Sequence, residues 1–195
     1  LAISFSEEDN YLMVASQELP AEKLKQDLLE RQELYAADLK PALAAFDLHD
    51  VPEEMRTRFF DRTIAAYLLN PLKGAYPYED IAKDYMGQMI PSKADLLGKL
   101  TIEQAMKDAP EAFLNYVCYM AYVAQASKKT LETDLKEEGM DHLFTEIEMP
   151  LVFTLADMEN EGIIACREAL TEYGDKLAVR IAELEKQITE QYRRT

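Results

Sequence analysis

The sequence predicts an α/β protein with more helix than strand. Near its start, residues 1–6 alternate apolar residues with small or polar ones, as in a half-buried strand, and residues 10–15 form a second short apolar run. The second half instead contains long stretches of helical periodicity, 112–135 and 168–192. A strand-containing first half followed by a helical second half indicates the α/β class.

The first strands form a predicted β-hairpin, because the polar residues 7–10 separate the two apolar runs. A helix begins next, where Pro20 fits the first helical turn and three leucines then recur at helical spacing.

A strand followed directly by a helix is then predicted at two places along the chain. Residues 33–37 predict a strand, and the helix 38–46 follows it with Asp38 as its capping residue. The apolar run before Asp61 predicts another short strand, and Asp61 is well placed to cap the helix 63–69.

The remaining helices are predicted at residues 78–85, 101–107, 112–135, 143–160 and 168–192. Gly139 and Gly162 end two of them, and Pro150 either kinks the fourth or marks its start. The last helix carries an apolar stripe that needs a partner surface: Leu170, Leu177, Ile181, Leu184 and Ile188.

Charge is unevenly distributed along the chain. The formal net charge is −16, and the six basic and six acidic residues from Arg167 onward cancel, so residues 1–166 hold the whole excess. An acidic body repels phosphates, which argues against nucleic-acid binding over most of the surface.

No apolar run approaches the roughly 20 residues of a membrane span. Cys118 and Cys166 lack metal-site spacing and predict reduced thiols of the cytoplasm.

One long stretch is similar to a known junction between two domains. In order along residues 146–188 it contains Ile147-Glu148-Met149-Pro150-Leu151, Met158-Glu159, Glu161-Gly162-Ile163 and a final helix. This order and spacing resembles the bacterial DNA polymerase I family (family A), where a 3′–5′ exonuclease-like domain meets the first thumb helix of the polymerase domain. The block FDRTIAAYLLNP at residues 60–71 resembles the same family. Cys166 departs from it, since the family has a helix-capping Asp there.

The resemblance implies a fold and a domain division. The fold is a ribonuclease H-like 3′–5′ exonuclease fold, a mixed sheet with flanking helices whose first strand would precede Leu1. Residues 1–145 would form this domain, and residues 146–195 the junction and the thumb base. The chain, which starts with Leu rather than Met, is expected to be a piece of a longer protein.

The same resemblance implies that the exonuclease metals have been lost. Enzymes of this type use carboxylates from three motifs to hold two divalent cations. In the second motif Asp38 stands at the family's Asn position and Ala42 at its metal-binding Asp position. In the third motif Tyr116 is kept, but Met120 replaces the Asp. Ala42 has no ligating atom, and a thioether is a poor ligand for Mg²⁺ or Mn²⁺.

The implied role is therefore structural. We expect no catalytic residue, metal or cofactor in this stretch, and weak or no DNA binding by it. The intact protein would be a Mg²⁺-dependent DNA-directed DNA polymerase, a nucleotidyltransferase of replication and repair. It would bind DNA in the cytoplasm at the nucleoid, away from membranes, and its remaining polymerase domain would pack on the C-terminal helix.

Two alternatives stay open from the residues. The first is an active exonuclease with a rearranged metal site built from other acids such as Asp38, Asp47 and Asp61. The second is an acidic helical interaction module. His49 and His142 have no catalytic-triad context in the sequence, so neither of them suggests a third alternative function.

Overall fold

The computed structural model describes residues 2–4, 8–13, 20–31 and 33–192. The chain divides into two compact units, Leu1–Asn160 and Glu161–Thr195. Parts of two predicted features lie outside the described residues. These are the hairpin positions 1, 5–7 and 14–15 and the basic residues Arg193 and Arg194.

Four short strands lie in the described part of the first unit: β1 (Ala2–Ser4), β2 (Asn10–Leu12), β3 (Leu34–Ala36) and β4 (Phe59–Asp61). β1 and β2 pair antiparallel, with Ile3 opposite Tyr11, which confirms the predicted hairpin. β3 and β4 pair parallel, with Tyr35 opposite Phe60. The parallel pairing requires the helical crossover that the sequence places between these two strands.

The chain is α/β and mostly helical, as predicted, but the expected single mixed sheet is not found among the described residues. They form two separate two-stranded sheets, one antiparallel and one parallel. The reason is that no described strand lies between the two pairs to join their backbones. The ribonuclease H-like assignment therefore stays a prediction.

The helices of the first unit are α1 (Ala21–Leu29), α2 (Leu39–Ala45), α3 (Glu53–Arg56), α4 (Arg62–Leu69), α5 (Tyr78–Met86), α6 (Lys93–Leu97), α7 (Ile102–Asp108), α8 (Pro110–Ala126), α9 (Lys128–Glu137), α10 (Asp141–Leu143) and α11 (Met149–Glu161). Most of the predicted helices are confirmed with small shifts of their ends. The sequence patterns missed the short helices α3 and α6.

The long helix predicted over residues 112–135 is wrong, because α8 ends at Ala126 and α9 begins at Lys128. Ser127 separates them and is fully buried. Its hydroxyl donates to the Val123 carbonyl oxygen at 2.6 Å. A serine that bonds back to the carbonyl four residues earlier bends a helix, and the apolar pattern does not record this.

Pro150 lies in the first turn of α11, directly after a π-helical turn at Phe144–Glu148. Proline has no N–H to donate to the carbonyl four residues earlier, and a wider turn accommodates that missing bond. At the other end of α11, Gly162 has φ +74°, the left-handed conformation of a helix stop, as predicted.

Within the described residues, a hydrophobic core joins the parallel sheet to the helices around it. Phe60 of β4 contacts Phe144 with ring centroids 5.0 Å apart, and Phe59 meets Phe153 of α11 edge-on at 5.4 Å. Residues 144–160 thus pack into the first unit. Assigning residues 146–195 to a polymerase domain stays a prediction.

The second unit contains α12 (Arg167–Tyr192), which confirms the predicted last helix. Its apolar stripe is exposed, with Leu184 39% accessible and Ile188 64% accessible. In the described part of the chain, none of the helices is long and apolar enough to span a membrane.

Candidate functional site

The site that the sequence indicates begins where β3 ends and α2 starts. Asp38 occupies the capping position of α2, but its side chain makes no capping hydrogen bond, so the predicted cap is wrong. The backbone N–H of Leu39 donates instead to Oδ2 of Asp61 at 2.6 Å. A carboxylate 22 residues away satisfies this helix end because β3 and β4 lie side by side, and Asp38 stays exposed.

Asp61 caps two helices with one carboxylate. Its Oδ1 accepts from the backbone N–H groups of Thr63 at 2.7 Å and Ile64 at 3.1 Å, which confirms the predicted cap of α4. Only 1% of Asp61 is exposed. Burial raises its pKa, and the backbone hydrogen bonds oppose that rise. Both oxygens accept backbone hydrogen bonds, so the carboxylate of Asp61 serves as the cap of α4 and as the acceptor for the first N–H of α2.

A large cavity brings together three of the four positions at which the sequence predicts exonuclease motifs. Asp38, Ala42 and Met120 all line a cavity of about 1140 Å³. Ala42 lies on α2 and Met120 on α8, so residues far apart in sequence face one space. The lining is mostly apolar, and neither Ala42 nor Met120 supplies the oxygen that Mg²⁺ or Mn²⁺ requires.

Tyr116, the fourth predicted motif position, is not among the residues that line this cavity and packs against Tyr78 instead. Its ring lies 5.8 Å from the ring of Tyr78 on α5, and Nζ of Lys93 lies 5.8 Å from its centroid. Burial is the main cause that raises the pKa of the Tyr116 phenol. The aromatic side chain is therefore part of a packed cluster.

Arg62 is a residue that the sequence patterns missed. It is only 4% exposed, and its Nε and Nη1 atoms have no hydrogen-bond partner in the described structure. Burial lowers the pKa of its guanidinium to about 10, against the opposing attraction of Asp61, Asp38 and Glu79. In the sequence, Arg62 could have been recognised because it is a charged residue directly before the apolar helix face of residues 64–69.

The other acids proposed from the sequence do not gather around a cation site. Asp47 contacts His49 through Oδ1 and Nε2 at 2.6 Å, in a loop after α2. Among residues 2–4, 8–13, 20–31 and 33–192, no three His, Cys, Asp or Glu residues are grouped so that they could hold a metal ion.

Comparisons with known proteins point to one group of enzymes. The chain is 27% identical over 163 residues to DNA polymerase I of Bacillus subtilis (strain 168), covering 83% of this chain and 18% of that protein. It is 29% identical over 137 residues to DNA polymerase I of Geobacillus stearothermophilus, covering 70% of this chain and 15% of that protein. With DNA polymerase I of Streptococcus pneumoniae (strain ATCC BAA-255 / R6) it shares 27% identity over 173 residues, 89% of this chain and 19% of that protein.

These matches confirm the resemblance to bacterial DNA polymerase I over most of the chain. The chain spans less than a fifth of the length of each of these relatives. No protein-family model matches it.

Proposed function

We propose that this chain is a structural stretch of a DNA polymerase I-type enzyme. Residues 1–145 are a 3′–5′ exonuclease-like domain of ribonuclease H-like ancestry without its metal-binding carboxylates. Residues 146–195 are the junction and the first thumb helix. One observation carries the proposal: Asp38, Ala42 and Met120 line one cavity at the positions of two family motifs, and two of the three cannot bind a metal.

The electrostatics of the site support inactivity. Two-cation catalysis needs several oxygen ligands converging on the ions, and the nearby buried carboxylate of Asp61 is committed to three backbone N–H groups. The buried guanidinium of Arg62 interacts electrostatically with both Asp61 and Asp38.

The role that remains is architectural. The exposed stripe of α12, with Leu177 and Leu184 on one face, supports packing by the remainder of a polymerase domain. The parent enzyme would be a Mg²⁺-dependent nucleotidyltransferase that copies DNA in replication and repair, in the cytoplasm and on the nucleoid. DNA would be bound by that intact enzyme, since residues 1–166 hold the whole excess of negative charge.

The first experiment measures trimming of 3′-labelled single-stranded DNA by the purified chain with Mg²⁺ or Mn²⁺. We expect no metal-dependent shortening above a no-protein control. Trimming that disappears in both Asp38→Ala and Asp61→Asn would overturn the proposal in favour of the active exonuclease with a rearranged site. The similarity to DNA polymerase I already argues against an unrelated acidic helical interaction module.

A second experiment restores carboxylates to the cavity. We expect the double variant Ala42→Asp, Met120→Asp to bind Mn²⁺ more tightly than the natural chain, measured by electron paramagnetic resonance of free Mn²⁺. The matched control is Ala44→Asp, which places a carboxylate on the exposed side of α2. Equal Mn²⁺ affinity in the double variant and in this control would contradict the assignment of the two positions.

A further inference from the structure

The last turn of α11 carries more negative charge than a helix end favours. Asp157, Glu159 and Glu161 lie close together at this end, and the last turn contains no basic residue. The backbone carbonyl groups at a helix C-terminus carry a partial negative charge, so acidic side chains there oppose the helix. Contacts with other elements must therefore stabilise this end.

Apolar packing does not reach the last turn of α11. Phe153 is buried, and Ala156 is the last buried residue of the helix. The positions 158–161 are all exposed, and Met158 is 62% accessible. The hydrophobic core thus holds the middle of α11 and leaves its last turn in solvent.

Two of the three acids bind groups from α2, from α3 and from the loop between them. Nζ of Lys40 donates to Oε1 of Glu159 at 2.6 Å. The carboxylate of Asp157 accepts from the backbone N–H of Asp50 at 3.2 Å, and its other oxygen lies 3.9 Å from Nη2 of Arg56. We call these contacts of Lys40, Asp50 and Arg56 with Asp157 and Glu159 the α11 latch.

Arg56 connects the latch to the buried part of the molecule. Its Nε donates to the carbonyl oxygen of Val51 at 2.7 Å, and Val51 is itself buried. Its guanidinium lies over the ring of the buried Phe153, 5.3 Å from the centroid, where the aromatic face attracts a cation. Because Arg56 is anchored in this way, its charge is held near Asp157.

The loop that contributes to the latch has a constrained backbone. Asp50 has φ +50° and Asp47 has φ +51°, in the left-handed region that side chains other than Gly rarely adopt. Surrounding contacts are needed to hold such a conformation. Asp157 supplies one of them at Asp50, and Nζ of Lys25 supplies another by donating to the carbonyl oxygen of Asp47 at 2.7 Å.

We propose that the α11 latch is a salt-sensitive conformational device that keeps the last turn of α11 helical, and that its release unwinds this turn where the chain leaves the first unit. Helical residues rise about 1.5 Å each and extended residues about 3.3 Å, so unwinding residues 158–161 lengthens this connection by about 7 Å. The side chains of Arg56 and Asp157 are 28% and 31% accessible, so salt can screen their attraction. The latch goes beyond the proposed function and does not depend on it, because its groups all belong to the first unit.

The test measures hydrogen exchange of the backbone amides of residues 158–161 in the full chain by mass spectrometry. The double variant Lys40→Met, Arg56→Met removes both cations of the latch and keeps long unbranched side chains in their place. The matched control, Lys107→Met, Lys136→Met, removes two exposed cations from the last turns of α7 and α9. Each protein is measured in about 0.01 M and about 1 M salt, where the Debye length is about 30 Å and about 3 Å.

In the low salt we expect residues 158–161 to exchange about fivefold faster in the double variant than in the natural chain, and at the natural rate in the control. In the high salt the natural chain should lose most of this protection. Equal exchange in the natural chain and the double variant overturns the proposal, and so does equally fast exchange in the control.

Circular dichroism checks that the double variant folds. If it does not fold, the natural chain decides the question alone, because protection of residues 158–161 that is the same at both salt concentrations overturns the proposal. These measurements involve neither DNA nor a metal ion, so failure here is distinct from failure of the proposed function.

Discussion

The carboxylate of Asp61 offers the sharpest test of how this domain is held together. Asp61→Ala removes the cap of α4 and leaves the backbone N–H of Leu39 without its acceptor. Loss of a cap costs about 1 kcal/mol. A buried N–H without a partner costs about 2 kcal/mol more. The change also relieves the desolvation of a buried charge, so we expect a net loss of about 2 kcal/mol in the free energy of unfolding.

The assay is urea denaturation followed by circular dichroism, with Asp38→Ala as the matched control. Asp38 also stands at a helix start, but it is exposed and makes no capping hydrogen bond. Its replacement should change the free energy of unfolding by less than about 0.5 kcal/mol. Equal losses in the two variants would refute the conclusion that Asp61 alone caps both helices.

The pH dependence gives a second measurement on Asp61. Burial raises its pKa above the usual 3.8, so the folded protein binds this proton more tightly than the unfolded chain does. The resulting stabilisation is fully present below pH 3.8 and is lost as the pH rises through the folded pKa. Asp61→Asn lacks this titration, so the stability of the natural chain relative to that variant should decrease as the pH rises. A relative stability that increases instead would show that the hydrogen bonds outweigh burial.

Three further predictions concern local structure. Ser127→Ala removes the buried hydrogen bond from the hydroxyl to the Val123 carbonyl. It should lower the free energy of unfolding by about 1 kcal/mol in urea denaturation, because that carbonyl still accepts from the backbone N–H of Ser127. An unchanged free energy of unfolding would contradict a role for the hydroxyl. The hydrogen bonds from Ser92 lower the pKa of Asp95, so any stability from this pair is present above the ordinary pKa and lost as the pH falls through the lowered one. Ser92→Ala should raise that pKa in an NMR titration, and an unchanged pKa would contradict the capping box. Cys166→Asp should cap α12 and slow amide exchange in its first turn severalfold relative to Cys166→Ala, with equal exchange as the contradicting result.

Local features were predictable because their causes are local. Apolar periodicity and turn residues act within a few positions, so the hairpin of β1 and β2, the α4 cap of Asp61 and the stop at Gly162 could be derived from the residues. Where a side chain bonds back to its own helix, as at Ser127, the same periodicity failed, because it does not record hydrogen bonds.

The candidate site was only half predictable. The family resemblance identified Ala42 and Met120 as positions without ligands, and the identity of each side chain follows from the sequence. That the two line one cavity together with Asp38 is a long-range fact, set by how α2 and α8 pack around the small sheets.

The fold class and most of the helices followed from residue type and short-range spacing. The lack of ligating atoms at Ala42 and Met120 was implied by the family resemblance and stays a prediction. Three features depended on the tertiary structure: the carboxylate that caps α2, the burial of Arg62, and the separation of the strands into two sheets with a cavity between them. Each of these depends on groups far apart in sequence being brought together by packing. No local pattern encodes which distant neighbour a buried polar group or a strand edge will meet.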